Sequence, residues 1–420
     1  MPLSTLKAAA SGPVSPRVAA TSDPSVTPGP VNGSVTLTPD LAGRRILICG
    51  PVAPARGAAR GGYESANLRL SLLLRSCGAE VLPLAYPPTL GLGAVAKLLR
   101  YRKGFAGLRR DLAAEAGRGD EGAASPRLVH FTPLFRQFAL QELRLLRQAR
   151  AAGFGVVLDL RAGNKLRDHD RFGPAYRALL AACLRQAHVI AHEGQEQAAA
   201  WQRLAPGKPL AWLPNFVSTA EREGARPERD AGVVRLVHLG TVSPAKGVDD
   251  AIAVADALVG LGLRVRFDVI GRAAPGYGAE LQTRCRTRPW VRLHGPMSPQ
   301  AARPLLDRAQ VFLFLTRWRG EGQSNALTEA MARGCVPVVT RHGFNASVVG
   351  DCGVLVGNRG DHGPIAARIA RLIHQDGGRA RAVMARRAIA RVEARFTEAA
   401  VLPILLDLYR QSTRAAEKDR

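Results

Sequence analysis

Short apolar runs recur along this chain, each followed by a polar, glycine-bearing loop and then by an amphipathic stretch at helical spacing. The runs at residues 44–50 (RRILICG), 81–84, 128–131, 156–160 and 189–191 lie in the first half. Those at 233–239, 265–271, 291–295, 311–315 and 335–340 lie in the second. None alternates between a wet and a dry face, so each predicts a strand buried on both sides, as in a parallel sheet. Between them the spacing predicts helices over 64–77, with Leu68, Leu72 and Leu73 as its inner face and Gly78 as its stop, over 90–111, and from 191 through Trp201. Residues 365–395 read as one Arg-rich helix and 396–409 (FTEAAVLPILLDLY) as another. Strands alternating with helices in this way predict an α/β protein with parallel sheets.

Length and composition divide the chain. At 420 residues it is long for one core, and two α/β domains with tails are expected. Residues 1–43 are rich in Ala, Ser, Pro, Thr and Gly without apolar periodicity and are expected to be a disordered tail. The boundaries read as a first domain over 44–217, a polar, strandless linker over 218–232, a second domain over 233–395, and a last helix and tail over 396–420.

Charge and cysteine usage narrow the setting. A formal charge of +25 favours anionic partners, whether nucleic acid, phosphorylated small molecules or an acidic membrane face, although a general Ala/Arg bias explains it equally well. Within 90–111, Lys97, Arg100, Arg102, Lys103, Arg109 and Arg110 interleave with Leu98, Leu99, Tyr101, Phe105 and Leu108. Such a helix suits an anionic membrane surface, or a solvated face over a packed one. The six cysteines show no metal-ligand spacing, and four fall in or beside apolar runs, which reads as reduced core thiols of a cytoplasmic protein; no apolar stretch has membrane-spanning length, and no signal-peptide core is evident.

The densest candidate chemistry lies in 311–356, where strand, polar loop, helix and strand follow one another. Ser324 or Asn325 is placed to begin the helix, Leu327, Ala330 and Met331 recur at its spacing, and Gly334 is placed to end it. Glu321, Gly322, Gln323, Ser324 and Asn325 therefore surround a helix N-terminus, whose unpaired N–H groups suit a phosphate. Glu329 stands eight residues after Glu321, about one turn into the helix, so both carboxylates are able to flank one bound anion.

The stretch EGQSNALTEAMARGCVPVVT, followed by Gly343 and GDCGVLV, resembles the E-x7-E signature of retaining, nucleotide-sugar-dependent glycosyltransferases of family 4, and the resemblance runs from about Arg44 to Arg410. It implies the GT-B fold: two Rossmann-like domains facing each other across a cleft, with the last helix crossing back over the first domain. It further implies a nucleoside-diphosphate sugar as donor, a glycan or lipid-linked acceptor, no metal and no other cofactor. The donor site implied is Gly240, Lys246, Gly271, Gly322, Gln323, Ser324, Asn325, Leu327, Thr328 and Glu329, with Glu321 on the sugar hydroxyls near the anomeric carbon and Glu329 on the ribose.

On the acceptor side, the resemblance implies that the glycine-rich loop with Gly61 and Gly62 lines the cleft. Arg161, Asn164 and Lys165 follow a strand's carboxyl end and should face that cleft, where their charge suits a phosphate-bearing acceptor. A histidine near the end of the 128–131 strand is implied at the reaction centre; His130 is the candidate, but the family's residue often falls two positions on, at Thr132. Thr241 stands where an arginine of the phosphate clamp is expected, so that charge is missing or comes from Arg317, Arg319 or Arg272. The triplet from Asp168 to Asp170 resembles a metal-binding DxD of another glycosyltransferase fold, though salt bridging accounts for it as readily.

Other classes fit less well. A basic nucleic-acid-binding protein would need aromatic platforms among its cations, and only 5% of residues are aromatic. A dinucleotide-dependent oxidoreductase would need G-x-G-x-x-G after the first strand, which Gly50 and Gly57 do not make. A scaffold that binds nucleotide sugar without turning it over shares every feature above.

Overall fold

The computed structural model describes residues 41–53, 61–88, 92–118, 127–224, 232–357 and 361–420. The first half contains β1 (Arg45–Gly50), α1 (Gly62–Ser76), β2 (Glu80–Ala85), α2 (Ala94–Gly117), β3 (Leu128–Phe131), α3 (Ala139–Ala151) and β4 (Gly155–Leu160). It continues through α4 (Lys165–Arg171), α5 (Gly173–Gln186), β5 (Val189–His192), α6 (Ala198–Leu204) and β6 (Leu210–Trp212). A short α7 (Thr219–Arg222) leads to β7 (Val234–Leu239), α8 (Val248–Gly260), β8 (Val265–Ile270), α9 (Tyr277–Cys285), β9 (Val291–Gly295) and α10 (Pro299–Arg308). The second half is completed by β10 (Val311–Phe314), α11 (Asn325–Ala332), β11 (Val336–Thr340), α12 (Asn345–Val349), β12 (Val354–Val356), α13 (His362–His374) and α14 (Arg379–Arg395), before the final α15 (Glu398–Lys418).

Two parallel six-stranded sheets result, ordered β2-β1-β3-β4-β5-β6 and β12-β11-β10-β7-β8-β9. Every position of β3, β4 and β11 is buried, as their uninterrupted apolar runs require when helices cover both faces of a sheet. In each sheet the strand order reverses once, between β1 and β3 and between β7 and β10, and the loops leaving those strands diverge to open a crevice at their carboxyl ends. This is the GT-B arrangement expected from the sequence.

The last helix returns to the first sheet. Val401, Leu402, Leu405, Leu408 and Tyr409 of α15 are buried in one cluster with Ile46 and Ile48 of β1 and Leu70 of α1. At about 1.5–3 kcal/mol for each large apolar side chain buried, an upper bound, α15 is firmly fixed to the first half. The chain crosses between halves twice at adjacent points, where the Val217 N–H donates to the Phe396 carbonyl at 2.9 Å.

Several expectations change in detail. The expected tail over 1–43 falls outside the described residues up to 40, but Leu41 is 2% exposed and belongs to the core. On α1 the buried stripe is Ala66, Asn67, Leu70, Ser71, Leu73 and Leu74, while Leu68 and Leu72 are exposed. Leucines occupy both faces of that helix, and the small residues Ala66 and Ser71 select the face that fits against the sheet. The single helix expected over 365–395 is two, α13 and α14, broken at Asp376, Gly377 and Gly378, which all take positive φ. β6 and β12, three residues each, were not anticipated.

Candidate active site at the seam between the halves

Glu321 and Lys246 meet because β7 and β10 are neighbours at the reversal in strand order. The loop after β7 ends in a turn, 244–246, closed by Gly247 at φ 75°, and a Cβ there would lie 2.0 Å from the Leu315 carbonyl oxygen. Only glycine permits that approach together with a left-handed backbone. Lys246 thereby extends its Nζ to both carboxylate oxygens of Glu321, at 3.0 and 2.8 Å. The Thr316 hydroxyl donates to Glu321 Oε2 at 2.6 Å, and Glu321 is 6% exposed. Two of the three ammonium N–H bonds are thus spent on Glu321, which leaves one for another acceptor.

Opposite this pair stands the first half's β4–α4 loop. Gly163 approaches so closely that a Cβ on it would lie 2.0 Å from the Glu321 carbonyl oxygen, and one on Gly322 would lie 2.2 Å from Glu193 Oε2. Glu193 follows β5; its carboxylate accepts from the Ala162 N–H at 2.9 Å and from Asn215 Nδ2 at 2.7 Å. Burial raises its pKa to about 6 in spite of those bonds. Ala162 takes φ 74°, a strained conformation for a residue with a Cβ, placed where the halves meet.

The other expected donor residues divide into those at the seam and those turned away from it. Gly240 and Gly271 follow adjacent strands, with a Cβ on Gly271 only 1.6 Å from the Gly240 carbonyl oxygen, so the two loops lie backbone to backbone. Ser324 is the N-cap of α11 without a capping side-chain bond, and Asn325 Nδ2 donates across the seam to the Gly62 carbonyl at 3.3 Å. Glu329 accepts from Arg69 Nη2 of α1 at 2.5 Å. Gln323 is different: its Oε1 accepts from the Asn215 N–H at 2.9 Å and its Nε2 donates to the Asn215 carbonyl at 2.8 Å. That amide joins α11 to the crossing segment, so its side chain is not presented to a donor. Leu327 is wholly buried and Thr328 is 1% exposed, so these two side chains belong to the core beneath the helix.

On the acceptor side, Gly61 and Gly62 begin α1 with open space where a Cβ would stand. Arg161 donates from Nε to Asp159 at 2.6 Å. Asn164 and Lys165 depart from expectation, because both turn inward. Asn164 Nδ2 donates to Asp168 at 2.5 Å, and Lys165, 3% exposed, donates to the Pro133 carbonyl at 2.7 Å above the Phe135 ring. Burial lowers the Lys165 pKa to about 8, against the pull of Glu142 and Glu193. Of the DHD triplet, Asp168 is held by Arg136 at 2.7 and 3.0 Å and His169 by Asp170 at 2.8 Å.

His130 is a correction of the same kind. It is 0% exposed, with Nε2 3.2 Å from Asp159 Oδ2 and Nδ1 3.1 Å from the Tyr409 hydroxyl of α15. Both ring nitrogens brace the core, and neither is open to a substrate. Thr132, two residues on, is also buried, and its hydroxyl oxygen accepts from Asn67 Nδ2 at 2.9 Å. Of the cations proposed to replace a missing clamp arginine, Arg317 donates to Asp250 at 2.6 Å. Sequence reasoning passed over Arg69, Glu193 and Asn215. Glu193 had a signal, since it directly follows the end of a buried strand; Arg69 sits within a leucine-rich helix and had none.

Residues 234–375 match the family described as Glycosyl transferases group 1. Among solved structures, the chain is similar to sucrose-phosphate synthase from Thermosynechococcus elongatus, at TM-score 0.66 and 17% identity, covering 89% of this chain and 100% of that one. It is also similar to Anabaena Alr3699/HepE in complex with UDP, at TM-score 0.63 and 16% identity over 86% and 98% of the two chains. TarM gives TM-score 0.62 at 9% identity over 88% and 99%. At these identities the structures establish the shared two-domain fold. No curated protein sequence matches. The second half is thus matched to the group 1 glycosyl transferases over residues 234–375, and the chain shares the GT-B fold of these structures.

Proposed function

We propose that this enzyme transfers a sugar from a UDP-sugar to a glycan or lipid-linked acceptor, at the seam between its two halves. The observation that carries the proposal is the pairing of Lys246 with Glu321 beside the N-terminus of α11, under a loop of the opposite half. A departing diphosphate needs neutralisation, and the third N–H of Lys246 together with the first N–H groups of α11 suits that need. Glu321, fixed by Lys246 and Thr316, is placed to accept from hydroxyls of the donor sugar, and Glu329 to accept from the ribose. Gly240, Gly271 and Gly322 contribute backbone along the same path. UDP as the nucleotude carrier is supported by relatives of the same fold: Anabaena Alr3699/HepE is solved with UDP and with UDP-glucose, and a pneumococcal O-GlcNAc transferase with UDP and GlcNAc.

A place on an anionic membrane face is supported by α2. Its first turns project from the core, with Val95, Leu98 and Leu99 at 73, 59 and 60% exposure among Lys97, Arg100, Arg102 and Lys103. An acceptor anchored in a lipid would meet the enzyme there. Among the described residues no helix is long and apolar enough to cross a membrane.

The test has two arms. Thermal shift against UDP, GDP, ADP and their sugar conjugates should raise the melting temperature with a uridine ligand. Glu321→Ala should then abolish transfer from that donor while the protein stays folded, and undiminished turnover would remove the assignment.

A further inference from the structure

Arg69 joins three elements that the chain keeps far apart. From α1 of the first half it donates through Nε and Nη2 to the two carboxylate oxygens of Glu221, the Nε bond being 3.1 Å. Through the same Nη2 it donates to Glu329 Oε1 on α11 of the second half. All three side chains are mostly sequestered, at 12, 19 and 21% exposure. Glu221 is itself held in place, since its Oε2 accepts from the Ser218 N–H at 2.7 Å.

The arrangement is asymmetric. Glu221 grips Arg69 with two bonds, whereas Glu329 receives one, at Oε1 only. Glu329 Oε2 has no hydrogen bond among the described residues, and it is not among the buried unpartnered atoms, so it remains open at the seam. Burial and the neighbouring Glu221 raise the pKa of Glu329, as expected where one cation serves two carboxylates. The bond from Asn325 Nδ2 to the Gly62 carbonyl, between the beginnings of the same two helices, closes the seam alongside it.

We infer that Arg69 is a positioning residue for the donor: it holds Glu329 in the orientation that offers Oε2 to a ligand hydroxyl, and it does so only while the halves are together. This rests on the reading of Glu329 as a donor-binding carboxylate. Because α1 and α11 belong to different halves, a donor that binds the oriented carboxylate selects the closed arrangement. Closure in turn tightens donor binding by the same factor. Arg69 is thus the link between nucleotide occupancy and the meeting of the two halves.

The experiment uses the full chain, with Arg69→Gln, Arg69→Lys and Glu221→Gln, and UDP, GDP and ADP as probes. Binding is measured by calorimetry, compaction by small-angle scattering with and without nucleotide, and donor KM and kcat by steady-state kinetics. The wild type should bind one of the nucleotides and contract. Arg69→Gln should weaken that nucleotide about tenfold, within the usual range of coupling between sites. It should also raise donor KM by a similar factor, lower kcat by less, and abolish the contraction; Arg69→Lys should restore part of each. If Arg69→Gln does not fold, Glu221→Gln, which loosens Arg69 while leaving its charge, should show the same direction at smaller size. Equal affinity and undiminished contraction in the variants would overturn the inference alone. Failure of the wild type to bind any of the three nucleotides would remove the proposed donor site and this inference with it.

Discussion

The pairing of Lys246 with Glu321 makes an unequal prediction for its two members. Glu321 is 6% exposed and Lys246 is 19% exposed at the side chain, so one partner is sealed in and the other retains a route to water. Lys246→Met keeps the aliphatic stem but leaves a buried carboxylate with the Thr316 hydroxyl as its remaining side-chain donor. Removing one member of a buried pair costs about 3–5 kcal/mol, and partial solvation brings the expectation to about 2–4 kcal/mol. Glu321→Gln keeps an acceptor for Thr316 and leaves an ammonium that is able to turn outward, at about 1 kcal/mol. The double substitution places two neutral groups together and should cost less than Lys246→Met alone.

Differential scanning fluorimetry checks the order. At this chain length a kcal/mol corresponds to roughly 1–2 °C of melting temperature. Lys246→Met should therefore lose roughly 2–8 °C, Glu321→Gln roughly 1–2 °C, and the double variant should recover part of the larger loss. Because the two residues touch, the cycle should be far from additive. Additive losses, or a larger loss for Glu321→Gln than for Lys246→Met, would refute the claim that this is a desolvated pair with its buried charge on the carboxylate.

Two more expectations come from the same seam. Glu193, with a carboxyl pKa raised from 4.5 to about 6 by burial, binds its proton more tightly folded than unfolded, so its contribution favours folding below pH 4.5 and is lost as pH rises through 6. The shift of 1.5 units amounts to about 2 kcal/mol, so the stability advantage of Glu193→Gln over wild type should grow by about that amount from pH 4.5 to 7; urea unfolding at the two values that shows no such growth would refute it. Gly163→Ala should keep the melting temperature within a few degrees, because its Cβ meets the opposite half and not its own core. It should lower kcat/KM about 100-fold by holding the halves apart, and retention of activity would show that the halves do not meet there during turnover.

Much of the fold was legible because a strand buried on both faces needs an uninterrupted apolar run, and nearly every such run in the chain became a strand. The unit from β10 to β11 was legible for a further reason: Gly334, at φ 77°, ends α11 where a left-handed residue was expected. The side-chain directions at strand ends were not. Residues after a parallel strand's carboxyl end were expected to face the cleft, but Lys165 turns beneath the loop to the Pro133 carbonyl and His130 turns to Asp159 and Tyr409. Their partners lie 29 to 279 residues away in sequence. Periodicity reports which face of an element is apolar; it carries no information on which distant polar group completes a hydrogen bond.

The seam shows why its closest approaches escaped a reading based on chemistry. Gly163 and Gly194 from the first half and Gly322 from the second take no left-handed backbone; Gly322 was expected at the donor site, but nothing in the sequence marks the close approach that each of the three makes. Each is required by its neighbour: a Cβ would lie 2.0 Å from the Glu321 carbonyl oxygen at Gly163, 2.1 Å from the Phe344 ring at Gly194, and 2.2 Å from Glu193 Oε2 at Gly322. The absent side chains let the halves approach closely, which brings the Lys246–Glu321 pair under the first half's loop, with Glu321 6% exposed. In a site so enclosed, each charge acts through a lower dielectric, and a group misplaced by an ångström forfeits most of its effect. The glutamates that announce the chemistry in the sequence therefore depend on glycines whose packing the sequence does not announce, and substitution of those glycines should separate the two halves' contributions more cleanly than substitution of the glutamates themselves.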